Sequence, residues 1–304
     1  MIQPLLALVG PTACGKTEAG IEIARTLGAE IVSVDSMLLY RGMDIGTAKP
    51  TPKERARVAH HLVDVAEPAE AFSVARYQEL ARAAIADIRG RGRRVLLVGG
   101  SGLYFRAAVG DLEFPTTDPA IRDALEAEAL QVGEEALHAR LAASDPVAAA
   151  RIEPSNLRRT VRALEVSAAT GRPFSSYAAA WERFPDAAVR AAGVEVSREA
   201  LDARIAARVR AMVDGGVLEE VRALLANGDV GRITSGQAIG YAAFADVLRG
   251  ERSIEDAIAA TVKRTRALAR RQMAWFRRDP RIRWFRSDDG ATAVVPEILD
   301  HLRG

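Results

Sequence analysis

At 304 residues the chain is long enough for one large domain or two, and 49% hydrophobic with 27% charged residues is ordinary for a soluble globular protein. No stretch approaches the roughly 20 apolar residues of a membrane span, and the run before Gly10 is too short for a signal peptide, so a cytoplasmic protein without membrane association is expected. Cys14 is the only cysteine, which excludes an internal disulfide.

The chain opens on a strand-like run, PLLALVG, that leads into GPTACGKT, residues 10–17. Gly10, Gly15, Lys16 and Thr17 meet the pattern G-x-x-x-x-G-K-[ST], with Pro11, Thr12, Ala13 and Cys14 completing the loop. Glycine at 15 lets the backbone approach a phosphate oxygen, successive N–H groups converge on the anion, and the following helix adds its positive end. Lys16 supplies a point charge, and the Thr17 hydroxyl is placed to ligate Mg²⁺. The loop recognises a polyphosphate without naming it.

Helical spacing in TEAGIEIARTLG precedes a second strand, AEIVSVDS, which delivers Asp35 and Ser36 at its exit. A carboxylate there can accept a proton, orient a nucleophile or hold Mg²⁺ through water; Asp35 or Ser36 could equally cap a turn. The next segment, YRGMDIGTAKP, gathers Arg41, Asp44, Thr47 and Lys49 and reads as a wall or lid facing the substrate. A helical stretch, ARYQELARAAIADIRGRG, and a third strand, RRVLLVGG, end at Gly99, Gly100, Ser101 and Gly102, where Ser101 could donate to a phosphate or a nucleobase. Apolar strands alternating with helices predict an α/β fold, a parallel sheet covered on both faces, with ligands at the carboxyl ends of its strands.

From about Asp118 to Trp181 the sequence is helical throughout, which predicts an all-helical insertion at 118–181 within a core of 1–117 and 182–304. A further strand, VRAAGVEVS, then rejoins the sheet, and the remainder reads as helix. Between Thr261 and Arg286 ten basic residues face one acid, Asp279, a local charge of +9 in a chain of net +2. Such one-sided charge favours a polyanionic partner, and Arg270, Arg271, Gln272, Trp275 and Arg277 mix cations, an amide and a ring in the manner of phosphate and base contacts. Trp275 and Phe276 could equally anchor an amphipathic helix in the core. The four histidines show no metal-ligand spacing. These features leave open a kinase, an NTPase, a non-catalytic RNA-binding module, or transfer of a carbon group with diphosphate as leaving group.

GPTACGKT, VSVDSMLLYRGMDIGTAKP, LLVGGSGLY, DPVAAARI, RALEV, IGY and RRQMAWFRR together resemble, in order, the bacterial tRNA dimethylallyltransferases. The resemblance spans nearly the whole chain. It implies a loop that holds dimethylallyl diphosphate with Mg²⁺, and transfer to the exocyclic amine of the adenosine 3′ to the anticodon in tRNAs reading codons that begin with U. It also implies that the insertion grips the anticodon stem-loop and that the target base is flipped. Residue by residue, the resemblance makes Asp35 the catalytic base, puts Thr17 on Mg²⁺ and diphosphate and Lys16 on the leaving group, and gives Arg208 a clamp on the diphosphate. Ser101, where threonine is usual, meets the target nucleotide. Ser36, Met37 and Leu38 adjoin Asp35, and at Leu38 many members carry glutamine instead. Arg122, Arg158, Arg159, Arg162, Gln237, Arg270, Arg271, Gln272, Trp275 and Arg277 fall in tRNA-contacting stretches. A monomer is expected, and a same-fold enzyme acting on free adenylate is the alternative.

Overall fold

A computed structural model describes residues 4–110, 112–115, 117–181, 183–184, 189–227 and 238–304. Six strands form one parallel sheet: β1 (Leu5–Val9), β2 (Ala29–Ser33), β3 (His60–His61), β4 (Arg94–Gly99), β5 (Val189–Glu195) and β6 (Ile282–Arg286), in the order β3-β2-β4-β1-β5-β6. Every residue of β1 and β2 is buried, the signature of a sheet covered on both faces; β1 accordingly reads as an unbroken apolar run, while β2 also buries Glu30 and Ser33.

Four of the strands are the expected ones. The short edge strand β3 and the opposite edge β6 were not anticipated from sequence. β6 hides in the basic segment because its buried Ile282 and Phe285 lie three residues apart among the exposed Arg283 and Arg286, which gives no period-two alternation.

Helix Lys16–Leu27 starts at Gly15, whose φ of 88° is left-handed, and stops at Gly28, again left-handed, so glycine sits at both ends where a side chain would strain the turn. Its Ala19, Ile21, Ile23 and Ala24 are buried. Helix Val74–Gly90 is capped by Ser73, which accepts from the Arg76 N–H.

The chain divides into two units: Met1–Gly110 with Pro185–Gly304, and Asp111–Phe184. These limits lie a few residues outside the expected 118 and 181. Within the second unit the lead-in is tied down: Arg162 donates to the Pro115 carbonyl at 2.8 Å and the Asp118 N–H donates to Glu165 at 2.9 Å. Its helices Pro119–Val132, Glu134–Ser144 and Leu157–Thr170 enclose a core that includes Leu125, Leu137, Leu141, Val161 and Leu164. No helix among the described residues is long and apolar enough to cross a membrane.

Candidate active site

β1, β2 and β4 end side by side, which brings Gly10, Asp35 and Gly100 to one rim of the sheet. The Val34 N–H donates to Val98 O at 2.9 Å and the Ser101 N–H to Val34 O at 3.1 Å, so the strand exit that carries Asp35 is fixed by backbone bonds. A side chain at Gly99 would place its Cβ 2.5 Å from Val34 O, which explains the glycine there.

The phosphate loop curls through two left-handed residues, Ala13 at φ 68° and Gly15 at φ 88°. That curl is the geometry that turns successive N–H groups toward an anion. The Thr12 N–H is taken by Gln272 Oε1 at 2.8 Å, and Lys16 Nζ donates to Pro11 O at 2.6 Å. Cys14 is buried, and its carbonyl accepts from the Ala291 N–H at 2.8 Å, which ties the loop to the C-terminal segment.

Two cavities adjoin this rim. The first, about 460 Å³, is lined at one end by Thr12, Ala13, Gly15, Lys16, Thr17 and Arg208. Its other lining is largely apolar: Ile31, Leu38, Pro50, Val63 and Val98, with His60. Burial pushes the His60 imidazole below its ordinary pKa, against a hydrogen bond to Val58 O that pulls it up. The second, about 440 Å³, is lined by Ser36, Met37, Met212, Ala238, Ile239, Arg264, Leu268 and Arg271. Thr12, Asp35, Thr47, Arg208 and Gln272 line both. Asp35 Oδ1 accepts the Met37 N–H at 2.9 Å, a bond that orients the carboxylate at the junction.

Arg208 Nη2 donates to Thr12 Oγ1 at 2.7 Å while its Nε is sealed from solvent without an acceptor. Burial holds this guanidinium below the ordinary arginine range, with the charge of Asp35 opposing the shift. An incompletely satisfied cation beside a phosphate loop is chemistry prepared for an anion. Arg204, one turn earlier, also lines the first cavity and donates to Asp288 O at 2.9 Å. Sequence reasoning passed over it, although its i, i+4 spacing from Arg208 puts both on one helix face.

The remaining expected residues are distributed as follows. Ser101 lies at the N-terminus of helix Gly102–Val109, one residue beyond the cavity lining. Gln272 and Trp275 pack over the rim: a Cβ at Gly100 would meet Gln272 at 2.5 Å, and one at Gly102 would meet the Trp275 ring at 2.1 Å. Phe276 is fully buried. Arg271 lines the second cavity, Arg270 is exposed, and Arg277 pairs with Glu195. In the insertion, Arg158 and Arg159 are exposed, whereas Arg122 and Arg162 both pair with the buried Glu165. Gln237 lies outside the described residues. Lys49, expected to face a substrate, turns inward instead: its side chain is 1% exposed and its ammonium binds Tyr40 O, Asp44 and Asp64, each at 2.6 Å.

A phosphate loop on a parallel sheet, with one carboxylate at the junction of two cavities, defines a P-loop enzyme arranged for group transfer between two substrates. The IPP transferase family model matches residues 38–279. A tRNA dimethylallyltransferase of Streptomyces coelicolor is 51% identical over 294 residues, covering 97% of this chain and 94% of that protein. One from a Nocardioides species is 50% identical over 302 residues, covering 98% and 97%. The crystal structure of the full-length tRNA isopentenylpyrophosphate transferase of Bacillus halodurans superposes with a TM-score of 0.69 at 39% identity, covering 99% of this chain and 97% of that one. The chain belongs to the IPP transferase family, that of the tRNA dimethylallyltransferases.

Proposed function

We propose that this chain transfers the dimethylallyl group of dimethylallyl diphosphate to N6 of the adenosine 3′ to the anticodon, in tRNAs reading codons that begin with U, and releases diphosphate. The observation that carries the reading is the position of Asp35, on the wall of both the phosphate-loop cavity and the cavity beneath the basic helix Ile254–Phe276.

In this scheme the loop N–H groups, Lys16 and Arg208 hold the diphosphate, and the apolar lining around Ile31, Leu38, Val63 and Val98 takes the five-carbon group. The adenine, flipped from its stack, enters the second cavity among Met37, Met212, Ile239 and Leu268. Its amine is a poor nucleophile because the lone pair is delocalised into the ring. As the C–N bond forms and the C–O bond to diphosphate breaks, the N6 proton passes to the Asp35 carboxylate. Lys16 and Arg208 take up the charge that grows on the leaving group.

Among the described residues no group of three or more His, Cys, Asp or Glu side chains could hold a metal. Mg²⁺ would be bound mainly by substrate oxygens and water, with the Thr17 hydroxyl, on the wall of the phosphate-loop cavity, as its protein ligand. When bound, the ion would neutralise part of the diphosphate charge. Arg158 and Arg159 of the insertion and Arg270 of the basic helix, all exposed, would meet tRNA phosphates, and the chain would act as a monomer.

The test is incubation of the purified protein with unmodified tRNA, Mg²⁺ and dimethylallyl diphosphate, followed by mass spectrometry of the digested nucleosides. Prenylated adenosine is expected, with Asp35→Ala slower by about a hundredfold or more. Prenylation of free AMP, or turnover of ATP, in place of tRNA product would overturn the reading.

A further inference from the structure

Glu220, on helix Val217–Ala226, makes an unusual set of contacts with a distant loop. Its Oε2 accepts the N–H groups of Asp44 and Ile45, each at 2.7 Å, and its Oε1 accepts the Gly46 N–H at 3.0 Å and the Tyr241 hydroxyl at 2.6 Å. Three consecutive backbone donors converging on one carboxylate form an anion nest, here filled by the protein's own side chain. Charge-assisted bonds of this kind are stronger than neutral ones. The other side of the grip is steric: a Cβ at Gly46 would stand 2.6 Å from the Tyr241 ring.

The pinned loop is the one that forms part of both cavities. Thr47 follows Gly46 directly and lines both, with its hydroxyl donating to Met43 O at 2.5 Å. Ala48 lines the phosphate-loop cavity in a left-handed conformation, φ 54°, which persists only where surrounding structure enforces it. Lys49 closes the far end of the loop through its three acceptors. Thr47 and Ala48 are thus suspended between two anchors, one made by Glu220 and one by Lys49. Tyr241, the fourth partner of Glu220, stands two residues past Ile239, a wall residue of the second cavity.

We propose that Glu220 is a positioning residue: it holds Thr47 and Ala48 at the junction of the two cavities and ties that loop to the 238–241 wall, so that prenyl donor and adenine meet in register. The proposal rests on the transfer chemistry given above. Displacement of reacting groups by about 1 Å costs on the order of a hundredfold in rate, which sets the scale of the effect.

The experiment compares Glu220→Ala, Glu220→Gln, Tyr241→Phe, Thr47→Ala and the Glu220→Ala/Thr47→Ala pair with the wild type. It reads the single-turnover rate at saturating donor and tRNA, tRNA affinity, and thermal unfolding. Glu220→Ala is expected to slow transfer by roughly 30–100-fold while tRNA affinity stays within about threefold. Glutamine keeps one carbonyl oxygen for the Asp44 and Ile45 N–H groups and can donate to the Tyr241 oxygen, but its amide faces the Gly46 N–H donor to donor, so Glu220→Gln should recover part of the rate and fall between Glu220→Ala and the wild type. Because Glu220 acts through Thr47, the paired variant should be no more than about twofold slower than Glu220→Ala alone. Multiplicative losses in the pair, or a lowered unfolding temperature with an unchanged rate per folded molecule, would overturn the proposal. If Glu220→Ala does not fold, Tyr241→Phe, which removes one bond and leaves three, carries the same cycle with Thr47→Ala. Absence of prenylated product from the wild type would instead overturn the underlying chemistry, and that control is read before any variant.

Discussion

Arg208 gives the sharpest test of a site prepared for an anion. Among the described residues its Nε–H is sealed without an acceptor, and its Nη2 donates to a neutral hydroxyl, that of Thr12. Desolvating an unpaired polar group costs about 1–3 kcal/mol, against about 1 kcal/mol returned by the Thr12 bond. Methionine keeps much of the aliphatic packing and removes the buried charge. Arg208→Met should therefore leave the free protein about 1 kcal/mol more stable, raising the unfolding temperature by roughly 1–3 °C for a chain of this length. Magnesium diphosphate at a hundred times its Kd should stabilise the wild type by about 2.7 kcal/mol. The variant should gain almost none of that, and its transfer rate should fall about a hundredfold or more. Thermal unfolding with and without the ligand reads both halves. A variant less stable than the wild type by more than about 1 kcal/mol, or one that keeps the ligand-induced shift, would refute the reasoning.

Lys49→Met breaks an ion pair with Asp64 and removes a donor to Tyr40 O; because Arg55 still holds Asp64, the loss belongs at the lower end of about 3–5 kcal/mol, read as a lower urea midpoint at unchanged slope. Gly102→Ala drives a Cβ into the Trp275 ring and should cost roughly 1–3 kcal/mol while slowing transfer, with far-ultraviolet dichroism unchanged. Glu30 supplies a pH test. The Arg91 hydrogen bond, above all, and His61 pull its carboxyl from 4.5 down to about 2, against desolvation. A carboxylate with a depressed folded-state pKa contributes stability that is present above pH 4.5 and lost as the pH falls toward 2. Glu30→Gln should flatten the stability profile across that window; an acid limb unchanged in the variant would show that other groups set it.

How far the sequence could be read depends on the range of the interactions. The phosphate loop, its flanking strand and the Asp35 strand exit are local patterns, and each was legible because its chemistry is confined to a few consecutive residues. β6 escaped because Ile282 and Phe285, three residues apart at a sheet edge, show no period-two alternation and merged with the basic run before them; the Ile, Trp and Phe of IRWF and Pro280 were the available signals. The +9 count of that run was an overestimate of free charge. Arg266 and Arg277 meet Asp202 and Glu195 from outside the segment, which the count left out, while the Arg281–Asp279 pair within it was already included. Gln272, placed with RNA contacts from sequence, takes the Thr12 N–H across 260 residues, and Glu220 reaches its loop across 174 to 176. No spacing in one sequence encodes pairings of that length, because they exist only once the sheet has gathered its strand ends.

Thr12, Asp35, Thr47, Arg208 and Gln272 form a partition with a different compartment on each side. In the proposed reaction a ligand in either compartment would touch the same five side chains, so a wall ordered by one substrate would leave less conformational freedom to lose when the other arrives. Linkage then demands symmetry: by whatever factor the donor changes the affinity for tRNA, tRNA changes the affinity for the donor. Diphosphate, which in the proposed reaction keeps the anionic end of the donor after transfer, would inherit part of that coupling. Under that coupling the order in which the two products leave would depend on the stiffness of a five-residue wall.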